Sequence, residues 1–190
     1  SGEINDYLGQ PVLNLTSSAR INLAEINAVV GPPGYLAGLI SWDLKASGQA
    51  RAPQLSGQMA GSDLKFMGLS GVRLTAALEP GDNSSLRFKA GVSLGTGSIG
   101  VEAKLPPALK GDFSGRIDFN KFPLKEVAIL WPDWPVTPDC LVDGYVEVAG
   151  PEINLEKIKA RSELYLEVPE KDSALLASSP LLPLSGNIKA

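Results

Sequence analysis

The chain has 190 residues, with 17 Lys+Arg against 21 Asp+Glu and a formal net charge of −4. No basic tract stands out, so nucleic-acid binding through counterion release has little to work with. With no histidine, the commonest general base, metal ligand and pH switch is missing, and the single cysteine, Cys140, cannot close a disulfide within the chain.

Apolar residues make up 44% of the chain, yet helical spacing is scarce and Gly (20) and Pro (15) are frequent. Short strands separated by turns fit this composition. No run approaches the ~18 apolar residues of a membrane span.

In chain order, Ile21-Asn22-Leu23 leads through an apolar stretch and Gly31-Pro32-Pro33 into the first clear alternation. From Gly38 to Arg51 one parity holds Ile40, Trp42, Leu44 and Ala46, the other Ser41, Asp43, Lys45 and Ser47. Successive strand side chains point to opposite faces, so one face is apolar and one polar. The same pattern places Leu55 and Met59, then Val72, Leu74 and Leu78, then Leu86, Phe88, Val92 and Leu94 on the apolar side. Ile99 and Val101, then Phe113, Ile117 and Phe119, then Val146 and Val148, then Leu164 and Leu166 continue it. Together these residues are the candidate lining of an apolar groove.

The breaks are turn-rich: Ala52-Pro53, Pro80-Gly81-Asp82-Asn83, Gly95-Thr96-Gly97 and Pro106-Pro107. Short connections favour antiparallel neighbours, and one-sided alternation argues against an all-parallel sheet. Helix-compatible spacing occurs at Phe122 to Leu130 and at Asp172 to Leu182. Neither is long enough to cover many strands.

Ile117-Asp118-Phe119, followed by Trp131-Pro132 through Pro138 and a strand from Val142, echoes the earlier order. Approximate repeat units of 13–116 and 117–190 follow, with a linker at 120–140, inside one segment of 1–190. No signal peptide opens the chain. Leu184 to Ala190 read as a strand getting under way, so a longer protein is expected, with any anchor outside this chain.

The expected fold is all-β: a long, curved, open antiparallel sheet with an apolar interior and one or two short helical linkers. The alternative is a closed β-sandwich, with a structural or adhesive role. Gly38, Gly48, Gly57, Gly115 and Gly144 on the apolar parity favour bending. Catalysis, metal and cofactor are not expected. Gly95 to Gly100 matches a Gly-x-Gly-x-x-Gly spacing but has no helix after it, so a hairpin turn is the reading. Asp118, Asp143 and Glu147 sit on polar parities as solvated carboxylates. Cys140 reads as a packed small hydrophobe. Trp131 and Trp134 read as loop anchors.

The run Leu39 to Met59, with its strand, glycine, small turn and Pro53-Gln54-Leu55-Ser56-Gly57, resembles the TamB group of AsmA-like envelope proteins, within the wider bridge-like lipid-transfer class. Gly111-Asp112-Phe113-Ser114-Gly115 through Phe119 with Pro123-Leu124, and Pro183-Leu184-Ser185-Gly186, resemble it too. The resemblance covers roughly Leu13 to Ala190. It implies a taco-like groove in a protein anchored in the inner membrane and spanning the periplasm. It implies the outer-membrane barrel TamA as partner, and phospholipid or another acyl-chain lipid as cargo. Two roles follow: lipid movement between the membranes and support of outer-membrane protein assembly. No catalytic residue is carried over. The stretch Trp131–Pro138 and Cys140 depart from the family pattern.

Overall fold

The computed structural model describes residues 1–6, 9–30, 36–51, 53–66, 68–82, 85–106, 111–128, 139–151 and 157–167. Ten strands form one antiparallel sheet in which spatial order equals chain order. They are β1 (Gly2–Asn5), β2 (Val12–Asn22), β3 (Leu36–Gln49), β4 (Gln54–Phe66), β5 (Leu69–Pro80), β6 (Leu86–Leu94), β7 (Gly97–Leu105), β8 (Phe113–Pro123), β9 (Leu141–Gly150) and β10 (Lys159–Glu167). Two short helices interrupt the meander: α1 (Leu23–Val30) between β2 and β3, and α2 (Leu124–Ala128) between β8 and β9. β1 and β10 are opposite edges and do not meet, so the sheet is open.

The alternating segments are the strands. Because each connection returns the chain beside its predecessor, local pattern and local pairing coincide. The Gly95-Thr96 step is the hairpin turn between β6 and β7. A closed sandwich needs a second sheet, and the described residues hold only one. Among the described residues neither face of the sheet is roofed by a second layer.

Described strands and helices cross the expected unit boundaries. The boundary at 116/117 falls inside β8, which runs unbroken from Phe113 to Pro123. The expected linker at 120–140 is β8 up to Pro123, then α2; residues 129–138, with Trp131 and Trp134, lie outside the described residues. The helix expected at 172–182 lies outside them as well. Lastly, α1 occupies what read only as an apolar stretch. Asn22 caps it: its carbonyl oxygen accepts from the Ala24 amide at 3.1 Å, and its Nδ2 donates to Glu25 at 3.3 Å. Asn-x-x-Glu at 22–25 is a variant of the capping box, and it was legible in the residues.

Register shifts bend the ladder at the end where the helices lie, and two of them are bulges with a non-glycine residue at positive φ. β4 carries an extra residue against β5 between Gly61 and Leu64, with Asp63 at φ 51°. β8 carries one against β9 between Phe119 and Phe122, with Lys121 at φ 44°. The Lys121 amide, turned out of the ladder, donates to the Asp143 carboxylate at 2.9 Å. A bulge bends its strand and sharpens its twist. A cluster of buried apolar side chains also lies at this end: Leu69, Leu94 and Phe122, with Val72, Ile99 and Phe119 packed against it.

Gly144 in β9 has φ +125°, and a Cβ there would strike the carbonyl oxygen of Glu163 in β10. Gly38 in β3 has φ +104°, and a Cβ would lie 2.6 Å from the Asp63 carbonyl at the first bulge. Any side chain at either site combines a disfavoured backbone with a backbone clash. Gly144→Ala is expected to destabilise the sheet by roughly 2–4 kcal/mol in urea unfolding, whereas Gly100→Ala, with nothing within 4 Å of its Cβ, shifts the midpoint little. Equal stabilities for the two variants would contradict the close approach of β9 and β10.

Candidate functional site

Directly paired residues of an antiparallel ladder project from the same face. Register therefore decides whether the apolar parities of separate strands join. They do. Ile40 pairs with Gly61, Gly61 with Leu74, Leu74 with Val92, Val92 with Ile99, Ile99 with Phe119, Phe119 with Gly144 and Gly144 with Leu164. A second row runs Trp42, Met59, Ala76, Ala90, Val101, Ile117, Val146. A third runs Leu44, Gly57, Leu78, Phe88, Ala103, Gly115, Val148 and Ala160. Leu55 pairs with Ala46, Leu86 with Leu105, Phe113 with Gly150, Val72 with Leu64 and Leu166 with Val142, all on the same face. Leu94 closes the face at the β6–β7 hairpin opposite Gly97.

Every residue singled out as groove lining thus lies on one continuous face. The bulges preserve this. One extra residue inverts parity, so Phe122 replaces Lys121 opposite Val142, and the apolar row crosses the bulge without slipping to the polar side. From β2 to β10 the face spans eight strand intervals, roughly 38 Å at about 4.8 Å each.

The strand pattern missed one contribution. Leu13, Leu15, Ala19 and Ile21 of β2 pair with Gly48, Ala46, Trp42 and Ile40 and extend the face by a strand. Alternation with Asn14, Thr16, Ser18 and Arg20 was the available signal, diluted by Ser17 on the apolar parity. Ser17 has its own use, because its hydroxyl accepts from the Trp42 indole Nε1 at 3.3 Å and fixes the ring on the face.

The face is covered only partly. Leu94 is 4% exposed within the small core, while Leu44 is 47% and Leu166 36% exposed; the other candidate residues are half-buried by their neighbours in the sheet. A shallow apolar depression of about 290 Å³ lies between Leu15, Leu44, Ala46, Leu55 and Leu78. Broader depressions lie on the polar face, one of about 550 Å³ among Arg87, Lys104, Arg116, Lys159 and Arg161. There, long charged side chains stand up from the pleat and enclose space between their stems.

Charge on the polar face is ordered across strands. Lys89, Glu102, Arg116, Glu147 and Arg161 are successive cross-strand partners in one row of alternating sign. Lys89 and Glu102 approach to 3.5 Å, and Arg116 bonds both Glu147 and Asp118 at 2.8 Å. The Arg116 guanidinium also lies 4.1 Å from the centroid of the Tyr145 ring. Arg161 and Glu163 pair at 3.0 Å. Each exposed pair contributes at most about 1 kcal/mol, but the row opposes register slip, since a two-residue shift would juxtapose other groups. The carboxylates weighed as acid–base candidates are engaged structurally: Asp118 and Glu147 with Arg116, and Asp143 with the Lys121 amide. Cys140 is 2% exposed, and burial together with the Asp139 charge pushes its thiol pKa up, which disfavours the reactive thiolate.

Among the described residues no group of three Cys, Asp or Glu side chains is placed to hold a metal ion, and no helix is long and apolar enough to cross a membrane. No family model, curated protein or solved structure matches the chain.

Two outcomes follow for stability. Phe88, half-buried on the open face, is expected to tolerate Phe88→Glu at a cost of about 1–2 kcal/mol, because the carboxylate keeps contact with water. Phe122→Glu, at a position 5% exposed, is expected to cost more than about 4 kcal/mol. Denaturant unfolding of both variants checks this, and equal losses would mean that Phe88 sits in a sealed core.

A second outcome concerns pH. Arg161, then the Tyr145 hydroxyl, holds the Glu163 carboxyl below its ordinary 4.5. A depressed folded pKa supplies stability at pH above 4.5 that is lost as pH falls through the folded value. Glu163→Gln is therefore expected to flatten the acid limb of the stability–pH curve and to leave its shape above pH 6 unchanged.

Proposed function

We propose that this chain is a stretch of non-enzymatic hydrophobic conduit that carries acyl-chain lipid along its apolar face. The observation behind this reading is the apolar face that runs from β2 to β10, carrying Ser17 and Ser162 only in its outer strands, half-buried along its length and with no second layer among the described residues. An apolar face of this extent on a monomer is normally covered by a partner or ligand. A lipid tail lying across the strands gains on the order of 0.8 kcal/mol per buried CH₂. Covered from one side only, an ordinary acyl chain gains on the order of 5 kcal/mol. That suffices for capture and is small enough for sliding from row to row. No polar residue interrupts the three central rows between β3 and β9, so no fixed head-group contact is required of the cargo.

The motif resemblance gives this activity a setting. Within it the chain is a periplasmic segment of a TamB-type protein in the bacterial cell envelope, anchored in the inner membrane through a part outside this chain. It works with the outer-membrane barrel TamA and moves phospholipid between the membranes, supporting outer-membrane protein assembly.

The delipidated chain should take up a fluorescent fatty acid or phospholipid in its native state. Phe88→Glu and Leu74→Asp, which place an ion in the two outer of the three rows, should weaken uptake about tenfold or more while the fold persists, and Arg73→Ala and Lys89→Ala on the opposite face should leave it unchanged. Failure of the folded wild-type chain to bind either lipid, or equal uptake by all variants, would remove the support for a conduit.

A further inference from the structure

Among the described residues the alternating charge row stops in mid-pattern. It runs Lys89, Glu102, Arg116, Glu147 and reaches Arg161 on β10, the last described strand. Among the described residues, β10 has a neighbour only on the β9 side. Its nine residues, Lys-Ala-Arg-Ser-Glu-Leu-Tyr-Leu-Glu, contain no proline and no bulge against β9. Such an edge offers a row of backbone donors and acceptors to another strand.

We propose that the β10 edge is a self-association surface: β10 of a second copy pairs with it antiparallel about a two-fold axis at Ser162. In that register Arg161 faces Glu163 of the second copy and Glu163 faces its Arg161. The next residue after Arg161 in the row is then an acid, so the alternation of sign continues across the seam in both directions. Ala160 faces Leu164 of the second copy, and direct partners share a face, so the apolar faces of the two copies join as one. The neighbouring two-fold registers fit worse. An axis at Glu163 opposes two glutamates and an axis at Arg161 opposes two arginines, and like charges directly opposite are destabilising. The 3.0 Å pair of Arg161 with Glu163 within one strand already holds both side chains on the face where the second copy meets them. An isologous, closed contact of this kind also removes the edge that would otherwise template open-ended pairing. The proposal does not rest on the conduit reading.

Sedimentation equilibrium of the 190-residue chain over a wide concentration range tests it. A reversible monomer–dimer equilibrium is expected. Arg161→Glu and Glu163→Arg should each raise the dimer dissociation constant about tenfold or more, because symmetry makes each substitution create two like-charge contacts. An equimolar mixture of the two single variants should dimerise, because an all-acidic edge then meets an all-basic one, and Arg161→Lys should keep dimerisation as a control for folding of the edge. A chain that stays monomeric at every concentration, whether because β10 pairs with another segment of its own chain or with nothing, overturns the proposal. So does a dimer that the single exchanges leave intact, or a mixture of the two folded single variants that stays monomeric.

Discussion

Everything in this structure follows from a two-sided sheet with only one layer. An antiparallel ladder that is apolar on one parity and charged on the other ordinarily closes on itself or on a second sheet, because the hydrophobic effect penalises an unroofed face. Here neither happens among the described residues. The two helices are short and confined to one end, where Leu69, Leu94 and Phe122 are buried. The remaining apolar side chains are shielded only by one another, each by its cross-strand and diagonal neighbours.

That arrangement shifts the work of specifying the fold from a core to the ladder. A conventional core fixes register by jigsaw packing. In a single layer, backbone hydrogen bonds and in-plane side-chain rows must do it. The alternating charges from Lys89 to Arg161 serve this on the polar side, and Trp42 anchored to Ser17 serves it on the other. The bulges at Asp63 and Lys121 pin register further. A bulge is a fixed landmark that cannot slide, and the glycines Gly38 and Gly144 accept close backbone approach where neighbouring strands crowd. Such a sheet is strong along its hydrogen bonds and yields to bending.

The carboxylates with defined partners are held by Arg116, Arg161 or a bulge amide, and the one thiol is buried with its pKa pushed upward. These are the environments of structural side chains. On the apolar side a substitution therefore matters by where it interrupts a row.

Much of this was legible from residues alone. Period-two alternation from Gly38 to Glu167 identified the strands and the face of each candidate residue, because side-chain direction in a strand is fixed by backbone geometry and does not depend on what the strand packs against. Short turns such as Gly95-Thr96 identified antiparallel neighbours for the same local reason. Pattern within a strand does not, however, determine what happens between strands. Whether Leu74 lies beside Val92 or two residues away is set by hydrogen-bond register. The parity change that puts Phe122 rather than Lys121 on the apolar face is set by a bulge that the alternation alone does not reveal. β2 escaped notice because Ser17 broke its pattern, although its partners Ile40, Trp42 and Ala46 restore it in three dimensions. The sequence by itself determined which side chains are candidates for an apolar surface. Only the tertiary structure decided that they form a single open face, because closure, sandwiching and openness are alternatives for the same alternating strands, separated by long-range register and edge geometry.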